Sequence, residues 1–228
     1  MNVIVCYNYP TNNFGPEHIT FAQRFVDSYR QYPPGADHAM AVISNGGVPS
    51  ATAKSQFDSI KPGTRFLIRD NRGKDIGGYQ FAAQQLPCDL MVFLGGASYI
   101  RGAGWLTRML EAYNMYGDGL FGCTGNQGEL YAKVWPHIRT TGFWCNPKII
   151  NEHPFRVGSD NQRYAYEHGP LCLTSWVLSQ RKPCIVVGWK DMRPVEVCNS
   201  MPEGFHQGSQ SNILIGDRLT APPYHHCA

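Results

Sequence analysis

The chain has 228 residues, long enough for one α/β domain with a substantial core, and 43% of them are apolar against 16% charged. That balance describes a globular chain and excludes a disordered one. A net charge of +3, without a basic run or an aromatic–basic repeat, excludes the electrostatic footprint of a nucleic-acid binder.

Residues 2–6 (NVIVC) read as a short buried strand ending at Tyr7, Asn8, Tyr9 and Pro10, polar and aromatic groups ahead of a breaker. Residues 17–32 carry Ile19, Phe21, Ala22, Phe25, Val26 and Tyr29 at helical spacing and stop at Pro33-Pro34-Gly35. A second strand over 38–43 ends in Ser44-Asn45-Gly46-Gly47, whose glycines equally suit a tight turn. Residues 64–68 form a third strand and run into RDNRGKDIGGY, residues 69–79, ahead of a helix predicted over 79–86. A helix start with free N–H groups beside Arg72 and Lys74 is a ready anion site. The plain alternative is a solvated loop of charges.

The apolar run over 90–94 (LMVFL) suits a strand buried on both faces and is too short for a helix. It stops at Gly95-Gly96. Beyond Gly102 and Gly104, the residues Trp105, Leu106, Met109, Leu110 and Tyr113 recur at three- and four-residue intervals, one apolar helix face. Ligands of open α/β sheets collect at the carboxyl ends of strands, so a strand ending in glycines marks a cleft floor, unless the glycines serve only a turn.

Residues 119–125 read as a strand, and 137–147 as a β-prone stretch holding Phe143 and Trp144. Trp144 or Trp135 can stack on a ligand or pack in the core. Residues 163–168 are a polar approach to an apolar helix, with Pro170 in its first turn. Residues 184–188 form a last buried strand, and 201–228, rich in Gly, Pro, Ser, Gln and His, read as a flap or tail outside the core. Eight cysteines show neither C-x-x-C nor zinc spacing and are expected to be reduced thiols of a cytoplasmic protein. Neither a signal peptide nor a membrane span is expected, since no apolar run approaches about 18 residues.

Phe93-Leu94 followed by Gly104-Trp105-Leu106 resembles the centre of GT-A glycosyltransferases, the nucleotide-diphospho-sugar transferase fold, where strand and loop read roughly VFLDxDxxxxPGWL. As an order of elements the resemblance spans about residues 2–215. It implies one GT-A domain over 1–228, a Rossmann-like α/β/α sandwich around a mostly parallel sheet, with about 200–228 as flap or tail. It further implies a transferase of glycan biosynthesis that moves a sugar from a nucleotide-diphosphate donor to the hydroxyl of a glycan or other acceptor.

Carried over residue by residue, the resemblance puts Tyr7 and Asn8 near the base, Asn45 on base or ribose, Arg72 and Lys74 on the diphosphate, Asp75 on sugar hydroxyls and Gly95 and Gly96 beneath the donor. Trp144 and Tyr166 lie toward the acceptor. Glu167 takes the place of the acid that deprotonates the acceptor in inverting members; its own neighbours equally allow a helix cap or a pair with Arg163. Gly95, Gly96, Ala97 and Ser98 stand where the family places the DxD carboxylates for Mn or Mg. No metal ligand is therefore assigned, although His206 stands where a ligating histidine is common, and metal dependence is expected to be weak or absent. A catalytically silent nucleotide-sugar or carbohydrate-binding domain is the alternative. A sugar nucleotidyltransferase is less favoured, because residues 7–13 lack its GGxGTRL-like loop.

Overall fold

The computed structural model describes residues 1–11, 17–127, 136–200, 203–204 and 208–220. In chain order, β1 (Val3–Pro10), α1 (Glu17–Gln31), β2 (Ala39–Asn45), α2 (Ala51–Ile60), β3 (Arg65–Arg69), α3 (Lys74–Gln85) and β4 (Leu90–Leu94) alternate. They are followed by β5 (Tyr99–Ile100), α4 (Trp105–Tyr116), β6 (Leu120–Gly122), β7 (Gly125–Gln127), β8 (Pro136–Ile138) and β9 (Gly142–Cys145). The last part adds α5 (Pro147–Glu152), α6 (Asp160–His168), α7 (Leu173–Ser179), β10 (Cys184–Val187), β11 (Met192–Pro194) and β12 (Ile215–Gly216).

Eight strands form one sheet in the order β11-β10-β6-β9-β4-β1-β2-β3. The block β3-β2-β1-β4 is parallel, β9 runs antiparallel between β4 and β6, and β10 is parallel to β6. Side chains of a strand alternate between faces. Val3, Val5, Tyr7 and Tyr9 of β1 therefore join one core with Phe25, Phe57 and Trp105 of α1, α2 and α4. Ile4 and Cys6 join the other with Ile76 and Tyr79 of α3, Ile149 of α5 and Tyr166 of α6. The result is an α/β/α sandwich around a mostly parallel sheet, as the sequence implied. Each fully buried large side chain, Trp105 and Phe25 among them, contributes roughly 1.5–3 kcal/mol of hydrophobic stabilisation.

Strand order also locates the crevice. From β1 the chain builds β2 and β3 on one side, then returns to lay β4 on the other. This reversal is a switch point, and the loops after β1 and β4 diverge there and leave an opening.

Four local readings change. The helix α2 carries only Ala53 and Phe57 as buried anchors, too few to read as a periodic face, and Ser50 caps it by accepting from Ala53 N at 3.1 Å. The helix α3 begins at Lys74, five residues earlier than its sequence suggests. Its Gly77-Gly78 pair looks like loop chemistry, yet close packing requires it: a Cβ on Gly77 would run into the Arg72 carbonyl oxygen, and one on Gly78 would lie 3.0 Å from Asn45 Nδ2 and 3.1 Å from Ile43 Cγ2 of β2. Residues 163–168 are themselves helical, in α6, and Pro170 lies between helices rather than in one. Ile213, Leu214 and Ile215 are core residues, not tail, because β12 pairs with β5. Among the described residues no helix is long and apolar enough to cross a membrane, and the seven described cysteines are free thiols.

Candidate functional site

A cleft of about 540 Å³ opens at the carboxyl ends of β1 and β4. Asn8 and Pro10 line it from β1, Gly95 to Ser98 from the loop after β4, Lys74 and Asp75 from the first turn of α3, and Arg163 and Glu167 from α6. Residues 137–141 and the 217–219 turn close the remaining sides.

The floor is built from below. Tyr7 Oη donates to the Gly96 carbonyl at 2.6 Å, while its ring stacks on Phe25 with centroids 4.2 Å apart. Gly96 approaches β1 so closely that a Cβ would sit 3.0 Å from the Asn8 carbonyl oxygen and 3.1 Å from Pro10 Cδ, which explains a residue without a side chain there. Ser98 Oγ donates to the Thr141 carbonyl at 2.7 Å, and Arg24 Nη2 to the Ala97 carbonyl at 2.6 Å. On the β2 side, Asn45 Nδ2 donates to Asn8 Oδ1, and Arg69 Nη1 donates to Asn45 Oδ1 at 2.5 Å. The Asn8 side chain is thus held in one orientation at the cleft wall.

Two carboxylates meet across this floor. Arg163 Nη1 lies 3.0 Å from Glu167 Oε2 and 4.0 Å from Asp75 Oδ1. Thr140 Oγ1 donates to the other Glu167 oxygen, Oε1, so both oxygens of Glu167 are engaged. Asp75 Oδ1 accepts from its neighbour Ile76 N at 3.0 Å, and Oδ2 has no protein donor among the described residues. Burial raises the Asp75 pKa to about 6, the Glu167 charge adds to the rise, and Arg163 opposes it. The two acids are a closely interacting pair that shares one cation. The Tyr79 hydroxyl, buried beside them and pushed well above its ordinary pKa chiefly by burial, has no hydrogen-bond partner among the described residues. His137 Nε2 and His168 Nδ1, 2.9 Å apart, continue the polar wall.

The opposite wall is anchored by a buried ion pair, Arg139 Nη1 to Asp217 Oδ2 at 2.8 Å, with side chains only 14% and 8% exposed. Burial alone would raise the Asp217 pKa; Arg139, the Leu219 amide and Thr220 outweigh it and hold it below its ordinary value.

Of the residues singled out by sequence, Asn8, Lys74, Asp75, Gly95, Gly96 and Glu167 line this one cleft. Tyr7 and Asn45 do not; they are buried and act by holding Gly96 and Asn8. Arg72 is not on the cleft wall either, since the left-handed turn at Gly73 (φ 70°) starts α3 between it and Lys74. Trp144 and Tyr166, expected beside an acceptor, are 0% and 1% exposed and belong to opposite cores, Trp144 stacked on Phe121 and Tyr166 against His153. They sit at inward positions of a central strand and of α6, where burial of a large ring outweighs display. Glu167 lies in the last turn of α6, not ahead of a helix, so helix N–H groups do not hold its charge; Arg163, one turn earlier, does. Trp135 and His206 fall outside the described residues. Arg163 was named only as a partner for Glu167, the pair the structure shows; Arg139, Thr140 and residues 217–219 carry no motif and were missed.

The donor set does not fit a divalent ion at the place the resemblance would put one. Residues 95–98 offer no carboxylate, the Ser98 hydroxyl is spent on Thr141, and Asp75 and Glu167 share Arg163. Among the described residues no group of three or more His, Cys, Asp or Glu is arranged to hold a metal.

No family model and no curated protein matches the chain. Solved structures similar to it include S. aureus TarS (9% identity, TM-score 0.46), of which 68% of this chain covers 30%. Mouse xyloside xylosyltransferase 1 is 9% identical with a TM-score of 0.47, over 90% of this chain and 84% of that one. A Bacillus anthracis protein described as a glucose-1-phosphate thymidylyltransferase is 11% identical with a TM-score of 0.49, over 92% and 93%. The chain spans less than a third of TarS and 53% of its 1–349 form. These likenesses assign no chemistry; that rests on the residues of the cleft.

Proposed function

We propose that this protein transfers a sugar from a nucleotide-diphosphate donor to a hydroxyl acceptor in the cleft between the ends of β1 and β4. The observation that carries the reading is the convergence of a glycine floor, an oriented Asn8 and the Asp75–Glu167 acid pair at the sheet's switch point. The acceptor oxygen attacks the anomeric carbon, the bond to the diphosphate breaks with its electron pair, and the hydroxyl proton passes to a carboxylate. A single displacement of this kind inverts the anomeric configuration. Sequence reasoning gave the proton to Glu167 alone. In the folded chain Asp75 is the better acceptor, with a free oxygen and a pKa near 6, while Glu167, paired with Arg163, sustains that basicity.

The test is a panel of nucleotide sugars in a thermal-shift assay combined with donor hydrolysis and transfer to simple sugar acceptors. Stabilisation by a donor together with release of the nucleoside diphosphate is expected. Absence of any stabilising donor would reject the reading. Stabilisation without turnover would favour a silent binding domain.

A further inference from the structure

Four Lys or Arg side chains line the cleft, and their charges are unequally matched. Arg163 is paired with Glu167 at 3.0 Å, Arg139 with Asp217 at 2.8 Å, and Lys74 reaches Asp160 at 2.9 Å. Arg218 has no acid and no hydrogen-bond acceptor for its side chain among the described residues.

Its backbone, by contrast, is tightly placed. On one side β12 pairs with β5, Gly216 against Tyr99, directly after the glycine floor. At the turn itself Asp217 Oδ1 accepts from Leu219 N at 2.8 Å and Thr220 N at 3.1 Å, while Oδ2 takes Arg139. A buried ion pair and a closed carboxylate turn therefore hold an uncommitted guanidinium at the wall of the cleft. On the floor, the amides of Gly96 and Ala97 have no acceptor among the described residues, whereas those of Gly95 and Ser98 are used. Both the unused cation and the unused amides call for an anion. Preorganised donors of this sort stabilise developing charge without reorganising when it appears.

We infer that Arg218, presented by the Asp217-anchored turn, is the residue that binds the diphosphate of the donor and of the departing nucleotide, in place of Arg72 and of a divalent ion. This rests on the transferase reading above and names the group that would receive its leaving charge. Arginine suits the task because its planar fork can meet two phosphate oxygens at once.

The experiment measures binding of UDP, GDP and their parent nucleosides to the wild type, Arg218→Gln and Arg218→Lys by titration calorimetry, with chelator present. Loss of one charge-assisted contact should weaken diphosphate binding by roughly 10- to 100-fold in Arg218→Gln. Nucleoside binding should not change, and Arg218→Lys should recover part of the loss. Since Arg218 is exposed and holds no other residue, equal melting temperatures are expected for all three proteins. Diphosphate binding that is unaltered in Arg218→Gln, or that falls only as far as nucleoside binding does, overturns the inference and leaves the transferase reading standing. A wild type that binds no nucleoside diphosphate overturns both.

Discussion

Asp75→Asn should make the protein more stable at neutral pH while removing its activity. The folded-state pKa of Asp75, raised to about 6 by burial and then by the Glu167 charge, lies above its unfolded value of 3.8. The fold therefore holds the proton more tightly than the unfolded chain does. Ionising Asp75 costs nothing below about pH 4, costs more as pH rises from 4 to 6, and costs its full amount above 6. A rise of about two pH units at 1.36 kcal/mol each sets an upper figure of about 3 kcal/mol. The side chain is 25% exposed, so solvent screening reduces that figure, and about 1–2 kcal/mol is the expected net gain. The amide keeps the acceptor for Ile76 N. For a chain of this length the gain corresponds to a melting temperature higher by about 3–6 °C at pH 8, shrinking toward zero at pH 4. Thermal and urea denaturation of both proteins at pH 4, 6 and 8 measures it. A variant that is less stable at pH 8, or whose difference does not vary with pH, would refute the electrostatic account of the pair. Transfer by the same variant should fall about 10²–10⁴-fold, the loss of a proton acceptor.

Glu167→Gln should also lower turnover, by at least about 10-fold, and shift the acid limb of its pH profile to lower pH, because Asp75 loses the neighbouring charge that raises its pKa; an unshifted profile would separate the two acids. Arg139→Met should destabilise by about 3–5 kcal/mol, the penalty of leaving a buried Asp217 without its cation, and should loosen the 213–220 segment in hydrogen exchange; a melting temperature within one degree of wild type would contradict the anchoring role. Asn45→Ala should weaken nucleotide binding without touching the ligand, since it frees Asn8; crystals showing Asn8 unmoved would reject this. Turnover in excess chelator should stay within about twofold of that with manganese, and complete loss restored by manganese would show that the metal ligands had been misplaced.

The sequence by itself determined the elements whose signal is local. The apolar runs of β1, β2 and β4 and the three- and four-residue spacing in α1 and α4 placed those elements to within a few residues, and the glycine end of β4 pointed to the cleft floor. Burial patterns repeat along a strand or a helix, so a single chain carries them. The tertiary structure alone decided the rest. Asp75 and Glu167 lie 92 positions apart, and only the packing of α3 against α6 brings them to one arginine. Whether Trp144 faces a ligand or a core depends on β9 being inserted antiparallel between β4 and β6, and no local pattern announces that insertion. The 208–220 segment reads as tail because its composition is polar, yet three consecutive apolar residues and one buried ion pair fix it to the sheet and bring Arg218 to the cleft. Secondary structure follows from neighbours in the chain. A charge acquires its function from neighbours in space, and these are set by long-range pairings that no short stretch of sequence contains.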